Sequence, residues 1–194
     1  MGRIELELKG VVPEPDLVRT ALRAAGGKLS FEGQLQDRRY DRGGELTARD
    51  EVLRVRTYLP LGGAPRAELG WKGPTERSAE GYKRREEREL AVSEGAPAGF
   101  LEALGFEVVH AIDRYIEVFA FTDGHARLEW YPRMDVLIEV EGTPAGIERI
   151  IAATGLPRAN FTSGALVEFT ARYDARHPDA RSLVAQDGWR GPTL

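Results

Sequence analysis

The first ten residues alternate strictly between apolar and polar. Ile4, Leu6 and Leu8 fall on one face of a strand, and Glu5, Glu7 and Lys9 fall on the other. The period then changes. After Pro13 and Pro15, Leu17, Val18, Ala21, Leu22 and Ala25 recur at helical spacing until Gly26-Gly27 supplies a stop. A long β-rich middle follows. Alternation predicts a strand over 52–59, a hairpin turn in the Leu-Gly-Gly-Ala-Pro run at 61–65, and a return strand over 67–72 closed by Gly73-Pro74. The next segment, 82–92, is dense in charge from Lys83 to Glu89, which alone would fit a solvated helix. Its neighbours are strands, and Arg85, Glu87 and Glu89 share a face only if it is extended, so a strand is predicted.

Pro97 opens a short helix carrying Phe100, Leu101 and Leu104, and Gly105 ends it. Strands are predicted at 107–121, 125–131 and 135–141, with Asp123-Gly124 as a hairpin signal. Thr143-Pro144 caps and opens a helix presenting Ile147, Ile150 and Ile151 up to Gly155. A last helix over 165–175 precedes a tail rich in Pro, Asp, Arg and Gly. Eight or so antiparallel strands with a few helices in the connections predict an α+β chain folded as a closed or nearly closed barrel, because closure removes exposed edges. No fixed-period repeat and no convincing linker divides the chain. The expected organisation is one domain over 1–176, followed by a weakly ordered or surface-draped tail over 177–194.

Composition narrows the function classes. The 194 residues carry 31 acidic and 27 basic side chains, a formal net charge of −4. So even a balance argues against a polybasic nucleic-acid or membrane-surface binder. A hydrophobic content of 42% is enough for a core and argues against disorder. No apolar run is long enough to span a bilayer, and the N-terminus lacks the apolar centre of a signal peptide. There are no cysteines, hence no disulfide framework and no thiolate metal site. A cytoplasmic protein is expected.

The arrangement of charge is more informative than its total. Same-face residues on a strand lie roughly 6.5–7 Å apart, close enough for two carboxylates to share a divalent ion or to ligate neighbouring ones. Glu5, Glu7 and Lys9 share a face, as do Arg54 and Arg56, then Arg85, Glu87 and Glu89, then Arg127 and Glu129, then Glu139 and Glu141. If these faces point outward they are merely wet. If they point inward they line a polar tunnel, which needs partners for its buried charges. Carboxylates would take Mg²⁺ or Mn²⁺, and arginines and lysines would take phosphate oxygens. A metal-complexed polyphosphate fits both.

The same residues resemble the CYTH family, the triphosphate tunnel metalloenzymes, which include class IV adenylyl cyclases, thiamine triphosphatases and inorganic triphosphatases. The resemblance covers roughly residues 2–170. It begins with Glu5-x-Glu7-x-Lys9 and continues in the family order through Gln36-Asp37-Arg38-Arg39-Tyr40-Asp41, Leu53-Arg54-Val55-Arg56, Trp71-Lys72-Gly73-Pro74, Arg85-x-Glu87-x-Glu89, Leu104-Gly105-Phe106 and Glu139-Val140-Glu141. It implies a closed eight-stranded antiparallel barrel forming a tunnel, with helices in the connections and at the C-terminus. It implies metal ligands at Glu5, Glu7, Glu139 and Glu141, with Glu87 and Glu89 as further tunnel acids. Glu129 stands where the family has an aspartate. The triphosphate would be held by Lys9, Arg54, Arg56, Lys72, Arg85, Arg114 and Arg127, with Lys9 and Lys72 as catalytic candidates that stabilise the leaving group.

The chain also departs from the family. Where a Lys-x-Arg pair is usual it reads Arg114-Tyr115-Ile116, so either Ile116 or, in a one-step shift, Ile112 replaces a base. Asn160-Phe161-Thr162-Ser163 is a weak match to a further family segment.

The expected activity is a Mg²⁺- or Mn²⁺-dependent triphosphatase acting on a small-molecule triphosphate, with no nucleic-acid or membrane partner and a homodimer left open. The alternatives are a class IV-type adenylyl cyclase and a non-catalytic polyphosphate- or nucleotide-binding module. A cyclase needs an adenine pocket. Tyr40, Tyr58 and Trp71 could stack on a base, although strand aromatics usually pack. His110, His125 and His177 are scattered and read as structural or surface residues, and Trp130 and Trp189 read as packing residues. No serine-hydrolase arrangement, Walker loop or dinucleotide fingerprint is present.

Overall fold

The computed structural model describes residues 2–93, 95–180, 182, 183 and 191. Ten strands and four α-helices follow the chain as β1 (Arg3–Val11), α1 (Pro15–Ala24), β2 (Lys28–Asp41), β3 (Val52–Pro60), β4 (Arg66–Lys72), β5 (Glu76–Arg77) and β6 (Lys83–Val92). They continue as α2 (Ala96–Ala103), β7 (Glu107–Phe121), β8 (Gly124–Trp130), β9 (Leu137–Gly142), α3 (Pro144–Thr154), β10 (Phe161–Thr162) and α4 (Leu166–Arg176). The predicted elements all form, with ends shifted by one or two residues. The charged segment is a strand, since β6 pairs with β4 on one edge and with β1 on the other. Three strands were not anticipated individually. They are the 14-residue strand β2 and the short strands β5 and β10.

All pairings are antiparallel, in the order β1-β9-β8-β7-β2-β3-β4-β6, and β6 returns to β1 to close an eight-stranded barrel. The closing edge is shared. β6 covers β1 from Arg3 to Glu7, and β10 covers Lys9 and Gly10, so β1 exposes little unpaired backbone. Midway along β2, Gly33 sits at φ 151° with a virtual Cβ only 2.2 Å from the Leu59 carbonyl oxygen, an approach closed to any side chain.

The barrel is inside-out relative to an ordinary small barrel. The apolar faces of β1, β7, β8 and β9 point outward, where Leu8, Phe119, Ala126, Leu128, Ile138 and Val140 pack under α1 and α3. Val18 and Leu22 come from α1, and Ile147, Ile150 and Ile151 from α3, at the spacing the sequence predicts. The Thr143 hydroxyl accepts a hydrogen bond from the Gly146 N–H and caps α3. A smaller outer cluster joins Tyr40 and Val55 to Leu101 of α2. Inside, two apolar plugs narrow the lumen. Leu35, Tyr58 and Ile116 form one, and Ile112, Tyr131 and Leu137 form the other beneath Phe169 of α4. Among the described residues no helix is long and apolar enough to cross a membrane.

The outer core should therefore carry the stability of the barrel. Phe119 is fully buried between the wall and the helices. Phe119→Ala should cost about 3–5 kcal/mol in urea unfolding, as large-to-small changes at well-packed sites do. A loss below about 1 kcal/mol would contradict the outward placement of the core.

Candidate active site

Because β-strand side chains alternate, burying the apolar face outward forces the other face into the lumen. Glu5, Glu7 and Lys9 of β1 are all buried there, as are Arg54 and Arg56 of β3, Glu87 of β6, Arg114 of β7, Glu129 of β8 and Glu139 and Glu141 of β9. They line one cavity of about 650 Å³ together with Lys72, Arg85, Glu89 and Arg127. Every site residue expected from the sequence thus reaches one space. Exposure within it ranges from Glu129 at 0% of its side chain to Glu89 at 36%.

The charges are paired. Lys9 Nζ donates to Glu139 at 2.5 Å and lies 3.7 Å from Glu129. Arg127 bonds both of these glutamates. Lys72 Nζ donates to Glu5 at 2.6 Å and also contacts Glu87, while Arg54 donates to Glu89 at 2.9 Å. Arg85 is engaged differently. Its guanidinium donates to the backbone carbonyls of Gly73 and Asp50, both at 2.6 Å, which ties two loops to the mouth.

Ionisation follows from this pairing. Burial pushes the Glu129 carboxyl up, but Lys9, Arg127 and Arg114 together hold it at about 2. Glu139 is likewise held well below the carboxylate range, because Arg127 and Lys9 outweigh its burial. Lys9 is raised above the ordinary lysine value, the pull of Glu139 and Glu129 exceeding the cost of burial, so it stays cationic. Glu5 goes the other way. Burial raises it, Lys72 opposes, and the nearby Glu7 and Glu87 raise it further.

That crowding marks the metal-competent wall. Glu5, Glu87 and Glu141 each bring an oxygen within 4.8 Å of the others, and so do Glu5, Glu7 and Glu139. These all-oxygen donor sets fit a hard divalent cation such as Mg²⁺ or Mn²⁺. Like-charged carboxylates held this close in a buried site favour a cation between them.

Several lumen residues escaped the sequence reading. Asp37 of β2 is buried and receives Arg56 Nε at 3.0 Å and Arg114 at 2.5 Å. Although burial would raise it, these arginines hold it well below the usual aspartate value. Its alternation with Leu35 and Arg39 was the available signal. Lys83 pairs with Glu7 at 2.5 Å, and Arg3 with Glu141 at 2.6 Å. His110 and His125, read from the sequence as structural or surface, both line the cavity, and His125 Nε2 lies 3.3 Å from Glu141. The reason is tertiary, since scattered positions on β7 and β8 converge only when the barrel closes. His177 does lie on the surface, stacked on Tyr173. Trp130 packs against Tyr115 as expected, and Trp189 lies outside the described residues. Of the two candidate gaps in the basic set, both belong to apolar plugs, but Ile112 also lines the cavity, whereas Ile116 is not among its lining residues.

The three stacking candidates divide. Tyr40 and Trp71 face outward, Tyr40 against Val55 and Leu101 and Trp71 under the guanidinium of Arg88. Tyr58 lines the cavity, but Phe31 packs edge-on to its ring and the Arg66 guanidinium sits 3.6 Å from its centroid.

No protein-family model and no curated protein matches the sequence. Solved structures with the same fold do exist. A candidate adenylate cyclase from Vibrio parahaemolyticus superposes with a TM-score of 0.73 at 21% identity, covering 88% of this chain and 99% of that one. A protein from Pyrococcus horikoshii gives 0.69 at 23% identity, covering 87% and 98%. A candidate adenylyl cyclase from Hippeastrum, described as having a dominant triphosphatase activity, gives 0.58 at 16% identity, covering 89% and 96%. The tunnel fold implied by the motifs is therefore the fold of this chain.

Asp37 offers a direct test of the pairing. Asp37→Asn leaves Arg56 and Arg114 short of a counter-charge and should cost about 3–5 kcal/mol at pH 7. Since the folded-state pKa of Asp37 is depressed, its contribution is present above the unfolded value of about 4 and lost as pH falls below it. Urea unfolding of both proteins at pH 7 and pH 3 should show the gap narrowing at the lower pH. A pH-independent gap would contradict the ion-pair assignment.

Proposed function

We propose that this chain is a triphosphate tunnel enzyme of the CYTH type. On this reading it is a divalent-metal-dependent triphosphatase that hydrolyses tripolyphosphate, thiamine triphosphate or a nucleoside triphosphate inside the lumen. The observation that carries this reading is the pairing of a buried carboxylate wall on β1, β6 and β9 with buried bases around one cavity of about 650 Å³. A triphosphate with its cation matches both halves at once.

The chemistry on the protein side is an exchange of partners. Phosphate oxygens take over Lys9, Arg127, Arg54 and Lys72 from the glutamates that now hold them. The glutamates are thereby freed to hold Mg²⁺ or Mn²⁺. A bound divalent ion would neutralise phosphate charge and acidify a water. Lys9 is held cationic, so it acts as fixed positive charge on the developing leaving group and not as a base. Lys72, between Glu5 and Glu87, is suited to the same role. Arg56 and Arg114, anchored on Asp37, orient the phosphate chain without sliding along the lumen.

Hydrolysis is favoured over cyclisation because both tyrosine rings among the described lining residues are engaged. Tyr58 lies beneath Arg66, and the Arg114 guanidinium sits 5.6 Å from the Tyr131 ring centroid. Each ring thus already carries an arginine. The likeness to candidate adenylate cyclases keeps ATP cyclisation as the second reading.

A panel of tripolyphosphate, thiamine triphosphate and ATP, each with Mg²⁺ and Mn²⁺, separates the two. Orthophosphate release is the expected product, cyclic AMP would establish the cyclase, and tight binding with no product would establish a binding module. Within that panel, Glu139→Gln keeps the shape of the site but removes a carboxylate, and should weaken metal dependence on the order of tenfold or more. Unchanged activity and metal affinity would remove β9 from the metal wall.

A further inference from the structure

Arg39 is an exception to the pairing of the lumen. It is half-buried and lines the cavity, yet among the described residues its side chain makes neither an ion pair nor a hydrogen bond. The nearest acid, Asp37, is already engaged by Arg56 and Arg114. Burial, with the added repulsion of Arg54 and Arg114, keeps the Arg39 guanidinium below its ordinary pKa despite the pull of Asp37. A partly desolvated cation without a counter-charge is costly, and an incoming anion would offset that cost.

Its location adds to the argument. β2 lies opposite β1 in the barrel, reached through β9, β8 and β7 one way and through β6, β4 and β3 the other. Arg39 therefore faces the lumen from the wall across from Glu5 and Glu7. Its register partners are Arg54 on β3 and His110 on β7. A β-bulge falls beside it, where Arg39 pairs with His110 and Tyr40 pairs with Val108, leaving Val109 as the extra residue. Bulges of this kind re-aim side chains next to functional sites. The lumen face of β7 reads His110, Ile112, Arg114 and has no base at its centre. Asp37 pairs in register with Ile112, so Arg39 stands diagonal to the gap on the adjacent strand.

We propose that Arg39, with His110 beside it, forms an oxyanion subsite on the β2–β7 wall that receives one phosphoryl group of the substrate, supplying from β2 the base that β7 lacks at Ile112. The subsite rests on the reading of the lumen as a phosphate site. A guanidinium fork is suited to two phosphate oxygens at once, and His110 can add an N–H donor. The wall lies across the barrel from the clustered glutamates of β1, and its own Asp37 is already held by Arg56 and Arg114, so anion binding there does not require the divalent ion.

The test is calorimetric titration of sodium tripolyphosphate in EDTA into the wild type, Arg39→Gln and Arg39→Lys, with melting temperatures recorded without anion. Wild type should bind, Arg39→Gln should bind on the order of 10- to 100-fold more weakly, and Arg39→Lys should retain part of the affinity. Unliganded Arg39→Gln should melt at or above the wild-type temperature, because an unpaired charge has been removed. A structural arginine would instead lower it. Absence of wild-type binding in EDTA, equal binding by Arg39→Gln, or a lowered melting temperature with the anion response unchanged would each overturn the subsite. Arg39-dependent binding supports it even if no triphosphate is hydrolysed. Hydrolysis alongside an Arg39→Gln protein that binds like wild type overturns the subsite and leaves the triphosphatase reading standing.

Discussion

A charge inside a barrel must have a counter-charge within reach, and the rest of this structure is arranged around that requirement. An isolated ion taken out of water costs several kcal/mol, and a pair recovers that cost only with good geometry. The lumen meets this condition by interleaving signs between neighbouring strands. Glu139 faces Lys9 across β1–β9 and Arg127 across β8–β9, and Glu87 lies opposite Lys72 across β4–β6. Asp37 lies opposite Arg56 across β2–β3 and also accepts from Arg114. Removing one member strands its partner, so the ladder is coupled around the circumference. Among the described residues Arg39 is where the ladder fails to close, and an unmet charge of that kind is suited to a ligand.

Ion pairs of this sort contribute little net stability, so something else must hold the barrel together. The apolar faces do so from outside, where Phe119, Leu128, Ile138 and Val140 are sealed by α1 and α3. Outside the barrel the charges repeat the same logic, since the buried Glu117 on the outer face of β7 is met bidentately by Arg19 of α1, with both bonds at 2.7 Å. The apolar plugs at Ile116 and beneath Phe169 bound the polar space, which restricts water and strengthens the electrostatics within. Stability and function are thus assigned to opposite faces of the same strands. A one-residue register slip would exchange them, so the closing pairs between β1 and β6 fix both.

Much of this was legible along the chain. Strict alternation in β1, β3 and β9 put Glu5, Glu7, Arg54, Arg56, Glu139 and Glu141 on common faces, and the ordered motifs placed Lys72, Arg85, Glu87 and Arg114 with them. Helix boundaries were legible because Pro144, Thr143 and Gly155 act locally. β2 was harder to read, because its lumen face mixes Leu35, Asp37 and Arg39, so no single polarity marks it. Along the chain Asp37 and Arg39 consequently read as motif residues and not as part of the wall. His110 and His125 were missed because a lone histidine carries no spacing. Arg85 was expected on the anion, yet its guanidinium is held by the carbonyls of Gly73 and Asp50, partners that no side-chain pattern reveals.

By itself the sequence determined which residues alternate, where the chain turns, and that acids and bases recur on single faces, because period and turn chemistry are properties of neighbouring residues. Only the tertiary structure decided that those faces point inward. It also decided which base meets which acid, that Asp37 anchors two arginines, and that the Arg39 side chain is left without a partner among the described residues. These are consequences of closing eight strands on one another, which sets distances between residues far apart in the chain. Coulombic and desolvation energies depend on those distances and on burial, and neither quantity exists until the barrel is shut.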